Sequence, residues 1–340
     1  MQLLRILTLP ILLALFAPAT HAQTAPATPN TTTNNAFQNP SNPHYWKNKK
    51  PYEGYWQQDV HYTINALLNE QDELINGQEI LVYTNNSPNT LTEAYFHLYQ
   101  NAVQPGSLTD ELYKKNRTKV KYGKYEAQKL GTVIHSIQIN PEENPIKEEP
   151  PYETTNTPFE IQNTLLKIKL PKPLKPGDSI AFHIDFTTYF DRGSIRRRMK
   201  VYDHHGYKHF NGVHWYPRIC VYDRKFTWET DQHVEKEFYG DYGLFDIALT
   251  LPNHYIPEAT GTLVNKDEVL PSALRKQLDI ANFKDKPIGS QPSVIIPANG
   301  TFKTWRYQAV NVHDFAWTAD PTYRIGETTW NGVQCVAIAQ

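Results

Sequence analysis

From Val60 onward the apolar positions recur every second residue. Val60, Tyr62 and Ile64 fall on one side and His61, Thr63 and Asn65 on the other, which predicts a strand buried on one face. Asn76-Gly77 reads as a tight turn ahead of a strand at 80–83. The run Asn85-Asn86-Ser87-Pro88 breaks the chain, after which Ala94, Phe96 and Leu98 alternate again. Further strands are predicted at 132–139, 165–170 and 179–186, the last two joined by a turn at Pro176-Gly177-Asp178. The pattern resumes at 244–251, 259–264 and 301–312, and 333–339 opens one more strand. Residues 271–283 have helical spacing, with Leu274, Leu278 and Ala281 on one side. Two polar stretches, 110–128 and 141–158, read as surface loops. No internal repeat or heptad pattern is present. Short strands punctuated by Pro and Gly predict a mostly β fold: a large antiparallel saddle or sandwich domain with one or two short helices.

The first residues change this picture by adding an address. Arg5, the apolar run 6–16 and Thr20-His21-Ala22 have the layout of a signal peptide cleaved after Ala22, so residues 1–22 are expected to direct export to the periplasm or exterior. The run is too short for a membrane span, and Pro10 interrupts it. Residues 23–44, rich in Thr, Asn, Pro and Ala, read as a disordered linker, with order beginning near Tyr45 and Trp46. Residues 45–340 then form the folded domain. The chain has 34 basic and 35 acidic residues, and this balance argues against a nucleic-acid partner, which needs a concentrated basic surface. Cys220 and Cys335 could pair in an exported protein; the plainer expectation is two separate buried thiols in strands.

Several strings resemble the N-terminal β-domain of aminopeptidase N-like zinc metallopeptidases (gluzincins), in particular their exported bacterial branch. They are Tyr62-Thr63-Ile64-Asn65, Tyr83-Thr84-Asn85-Asn86-Ser87 and Tyr95-Phe96-His97-Leu98-Tyr99-Gln100-Asn101. Trp215-Tyr216-Pro217-Arg218, Val221-Tyr222-Asp223, Glu237-Phe238-Tyr239-Gly240 and the string from His313 to Pro321 continue the match. The likeness runs from about Trp56 to the end. It implies a saddle-shaped β-domain forming one wall of a peptide-binding cleft, beside a helical domain that follows in sequence and holds zinc. That domain uses H-E-x-x-H, two histidines one helical turn apart on one metal with a glutamate as proton acceptor. None of the 13 histidines here is followed by Glu, and no G-x-M-E-N-like string is present. The expectation is therefore a peptidase β-domain with no catalytic residue and no metal of its own, inactive by itself, its zinc and peptide substrate engaged through the missing catalytic domain. A free-standing exported module binding peptides or glycans is the alternative. A face shaped for a partner domain would leave an apolar patch in water.

The resemblance places a substrate-amine contact just upstream of the W-Y-P string, on Asn211 with His214 beside it; the alternative is an exposed loop asparagine with no role. His204, His205 and His209 form a histidine cluster that reads as a loop rather than a metal site, since Gly206 interrupts it. The basic run 192–200 reads as a solvated hairpin loop. Trp305, Phe315 and Trp317 are expected in the core rather than on a ligand platform. Asp314 and Asp320 read as turn caps rather than an acid/base pair.

Overall fold

The computed structural model describes residues 52–140, 156–194, 199–234, 239–293 and 295–340. The expected signal peptide, the linker and the start of order at Tyr45 lie outside them, as does most of the loop expected at 141–158. In chain order the strands are β1 (Asp59–Asn69), β2 (Leu74–Thr84), β3 (Leu91–His97), β4 (Thr132–Asn140), β5 (Phe159–Gln162), β6 (Leu165–Leu174) and β7 (Ser179–Tyr189). They continue with β8 (Lys200–His204), β9 (Tyr207–Gly212), β10 (Arg218–Ile219), β11 (Tyr222–Asp223), β12 (Thr227–Trp228) and β13 (Gly243–Pro252). The last are β14 (Ile256–Ala259), β15 (Thr262–Leu263), β16 (Phe302–Val312), β17 (Trp317–Asp320), β18 (Arg324–Trp330) and β19 (Val333–Ala339).

A seven-stranded sheet runs in the order β15-β16-β13-β1-β2-β7-β4. It is antiparallel except where β1 lies parallel to β13. Two four-stranded sheets, β10-β3-β6-β5 and β14-β17-β9-β8, and the hairpins β11-β12 and β18-β19 complete the fold. The mostly β, sandwich-like expectation holds. Alternation explains it: Val60, Tyr62, Ile64, Ala66 and Leu68 are all buried, while Asn65 and Leu67 on the other side are exposed. The inner face meets the second sheet where Phe96 stands edge-on to Phe182 at 5.2 Å. Each fully buried aromatic of this kind contributes about 1.5–3 kcal/mol by leaving water.

The two sheets are joined at corners built from polar side chains. Asn85 is fully buried and accepts from Ser87 Oγ at 2.6 Å, while its Nδ2 donates to the Leu174 and Asn89 carbonyls. It thus fixes the path of the chain from β2 to β3. The turn at Pro176-Gly177-Asp178 is present and carries the chain from β6 in the second sheet to β7 in the first, with Gly177 at φ +84°.

Several expectations are corrected. Asn76-Gly77 lies inside β2 rather than in a turn, and the real turn comes earlier, where the Asn69 side chain accepts from the Gln71 and Asp72 amides. Gly77 is needed there because the Phe186 ring lies 2.2 Å from where a Cβ would sit. The stretch 110–128 is not simply loop: it carries most of α1 (Leu108–Lys115) and all of α2 (Lys124–Ala127). The helical pattern at 271–283 becomes α4 (Ser272–Leu278) and a 3-10 turn, Ile280–Phe283, preceded by α3 (Lys266–Val269). The strand expected at 259–264 is two short ones separated at Gly261. Among the described residues no helix is long and apolar enough to cross a membrane.

Candidate functional site

Three of the quoted strings, far apart in sequence, meet at one place. β10 pairs with the end of β3, so that Arg218 of the W-Y-P-R string lies opposite His97. From the turn that follows β3, Gln100 donates through Nε2 to the carbonyls of Val213 and His214, both at 3.0 Å. Trp215 Nε1 donates to the Phe315 carbonyl at 3.0 Å, and Tyr216 Oη to Asp314 Oδ1 at 2.8 Å. The Ile219 amide donates to Tyr62 Oη at 3.1 Å. The Trp215 and Tyr216 contacts and the β3–β10 pair tie one string to another, while the Gln100 and Ile219 contacts tie a string to a residue beside one.

At the centre stands Tyr99, with three imidazoles around its ring. His97 stacks on it at 5.0 Å, His214 lies tilted at 4.6 Å and His233 meets it edge-on at 5.1 Å. His97 Nε2 donates to Glu229 Oε2 at 3.2 Å, and His214 Nε2 lies 3.7 Å from Asp314 Oδ2. His214 adopts φ +55°, uncommon for a residue with a side chain. Burial pushes the Tyr99 hydroxyl well above its usual pKa, so it stays protonated.

Beneath this group lies a buried charge. Arg218 is 3% exposed, and its Nη2 donates to the His313 carbonyl. Burial opposes its charge, but Tyr216, Tyr99 and Asp314 more than offset that and hold its pKa above the ordinary value. Gly240 is glycine for a steric reason: a Cβ there would fall 1.4 Å from Arg218 Nη2. The adjoining Asp241 is pushed up to about 7, chiefly by burial, with Arg218 opposing and Asp223 and Asp59 adding to the rise.

Beside Tyr99 opens a cleft of about 450 Å³, lined by His97, Trp228, Glu229, Asp231 and His233 among others, with Phe226 and Tyr239 at its edge. Its wall is held by backbone and side-chain bonds. Gln232 Oε1 accepts from the Thr164 amide and hydroxyl at 2.9 and 2.7 Å, and the His233 amide donates to Thr164 Oγ1 at 3.0 Å.

The residues singled out from sequence are divided between two clusters. His214 belongs to the group around Tyr99. Asn211 is a half-buried residue of β9, not an exposed loop position, and pairs across the sheet with Thr318. His209 joins it to a second network, bridging Asn211 Oδ1 at 3.0 Å and Asp320 Oδ2 at 3.1 Å. His97, Tyr99, Glu229 and His233 were not singled out. The first two sit inside a quoted string, which was the available signal; Glu229 and His233 lie in the aromatic-rich stretch 209–252 but between the strings at 221–223 and 237–240, in neither of them.

The other residues read from the sequence take these positions. His204 and His205 lie at the β8–β9 hairpin, a turn with His205 at φ +50° and Gly206 at +85°. Among the described residues no group of three or more His, Cys, Asp or Glu is placed to hold a metal ion, so the zinc of the resembling family finds no fitting ligand set among them. Arg192 is not simply solvated: it forms a bidentate pair with Glu73 and contacts Asp203. Trp305, Phe315 and Trp317 are buried in the core. Asp320 caps its turn by accepting from the Thr322 amide at 2.7 Å, and Asp314 does so from the Phe315 amide at 2.9 Å. Cys220 is a buried free thiol just past β10, but Cys335, expected buried, is exposed on β19.

No protein-family model matches the chain, and no curated protein matches it. Among solved structures it is similar to the M1 zinc metallopeptidase of Deinococcus radiodurans, at 11% identity and TM-score 0.41, over 84% of this chain and 48% of that one. A mutant of that enzyme bound to a Tyr-Ser-Ala substrate matches over the same shares at 12% identity and TM-score 0.42. The chain spans about half the length of these structures.

Proposed function

We propose that this chain is the N-terminal β-domain of an exported, aminopeptidase N-like zinc metallopeptidase, forming one wall of its peptide-binding cleft and contributing no catalytic group. The observation that carries this reading is the convergence just described. Three of the strings that carry the resemblance, at 95–101, 215–218 and 313–321, are bonded to one another in space around Tyr99 and Arg218. Unrelated matches would have no reason to meet. The hydrolytic zinc, in this reading, is held by residues other than these 340. What the residues of this chain do themselves is bind and orient: Arg218 and its partners fix the floor, and His214 in the Tyr99 cluster and Asn211 in the separate β9 network are the two candidate contacts for the substrate's α-amine.

Saturation-transfer NMR of the full chain with trialanine and with Nα-acetyl-trialanine tests this. Trialanine is expected to give the stronger saturable signal, reduced at least threefold by His214→Ala or Asn211→Ala. Binding of an oligosaccharide with no binding of trialanine would replace this reading with the glycan-module alternative. Equal signals from the two peptides would remove the amine-recognition role.

A further inference from the structure

The cleft beside Tyr99 has a charge character that the peptide-wall reading does not use. Two carboxylates, Glu229 and Asp231, line it, and among the described residues no lysine or arginine does. Glu229 is held in place at both oxygens: Oε2 accepts from His97 Nε2 at 3.2 Å and Oε1 from the Asp231 amide at 3.2 Å. Its own amide donates to the Val221 carbonyl at 2.8 Å, so backbone and side chain are both fixed before any ligand arrives. A carboxylate offers about four lone-pair sites, and two are used. The Glu229 side chain keeps 18% of its surface open.

The rest of the lining is aromatic. Trp228 is braced against Tyr83 at 6.0 Å, Tyr222 at 5.2 Å and Tyr95 at 5.8 Å, so it presents a rigid face. Phe226 and Tyr239, 47% and 45% exposed, stand edge-to-face at 6.1 Å. A fixed carboxylate beside open aromatic faces is the arrangement that attracts a cation, through the charge and through the negative faces of the rings. The chain itself uses one of these rings so: Lys225 Nζ lies 4.4 Å from the centre of Phe226. An anion would meet the Glu229 carboxylate, and a wholly apolar ligand would cover its two unused lone-pair sites without offering a donor.

We propose that the cleft between β3 and the β11–β12 hairpin is a binding site for a cationic side-chain group, an ammonium or guanidinium, with Glu229 as counter-ion and the Trp228 and Tyr239 rings as its walls. At about 450 Å³ the cleft lies within the size range of ligand pockets, ~300–1,000 Å³. This assignment rests on the cleft alone and stands whether or not the chain serves a peptidase.

The test uses Nα-acetyl-lysine N-methylamide and its Nε-acetylated counterpart, titrated into the full chain by calorimetry. Both lack a free α-amine, so neither reports on the contact assigned above to Asn211 and His214. The charged probe is expected to bind at least tenfold more tightly than the acetylated one, and more weakly as salt rises. Glu229→Gln is expected to remove at least tenfold of that affinity while circular dichroism stays native. Asp231→Asn, at an exposed position, is expected to cost threefold and serves if Glu229→Gln does not fold. Equal affinity for the two probes, binding of neither, or a natively folded Glu229→Gln protein with unchanged affinity would overturn the proposal.

Discussion

Single buried charges set much of this protein's chemistry. Glu79 sits on the core face of β2, 1% exposed, and neither carboxylate oxygen has a hydrogen-bond partner among the described residues. Burial alone raises its pKa well above 4.5. An acid with a folded pKa above its unfolded one keeps in the fold a proton that the unfolded chain releases, so stability falls as pH rises from the unfolded value through the folded one. Asp241, raised from 3.8 to about 7, acts in the same sense across that window. Replacing Glu79 by methionine, of similar volume and no charge, is expected to stabilise the fold by about 1–4 kcal/mol at pH 8. The gap between variant and wild type in denaturant unfolding should be smaller at pH 5 than at pH 8. A gap that is constant or larger at pH 5 would show that Glu79 does not carry this cost. In the sequence, Glu79 looks like an ordinary polar residue within a strand; only the register that turns it inward makes it exceptional.

At the scale of elements, what was legible depended on whether the signal was local. The alternation at 60–64 belongs to a strand running from Asp59 to Asn69, and the Pro176-Gly177-Asp178 turn stands where read. Gly77 misleads because its glycine answers to Phe186, more than a hundred residues away, rather than to a turn. α1 carries local signals that the polar composition of 110–128 hides. Ser107 is its N-cap, accepting from the Asp110 amide at 3.2 Å and donating to the Ala102 carbonyl at 2.7 Å. Asp110 and Glu111 sit in its first turn and Lys114 and Lys115 in its last, the arrangement that complements a helix dipole. Ser107→Ala is expected to cost about 1 kcal/mol in chemical denaturation. No change would mean that the cap does not hold the 108–115 segment in place. Cys335 departs from expectation for the opposite reason: β19 has the apolar run of a buried strand, yet β18 is its sole sheet partner among the described residues and nearly all of it is open to water.

For the whole molecule, the sheets and their core follow from patterning, while the candidate site does not. Its parts come from β3, the segment before β10, the segment after β12 and the start of the 313–321 string, and their juxtaposition exists only once both sheets have formed. That is why His214 was legible through a string while Glu229 and His233 were not. The β18–β19 hairpin leaves Trp330, Val333 and Val336 exposed at 65%, 57% and 41%, an apolar surface suited to a neighbouring domain. The purified chain is expected to self-associate in light scattering as concentration rises, and Trp330→Ser with Val333→Thr to reduce it; a monomer at all concentrations would argue against a covering partner. The central claim is that these sheets are a scaffold for a metal held elsewhere. Its most direct test measures bound zinc and aminopeptidase activity together on the purified 340-residue chain. The expected result is substoichiometric zinc and no peptide hydrolysis, whereas one zinc per chain with hydrolysis that a chelator abolishes would contradict it.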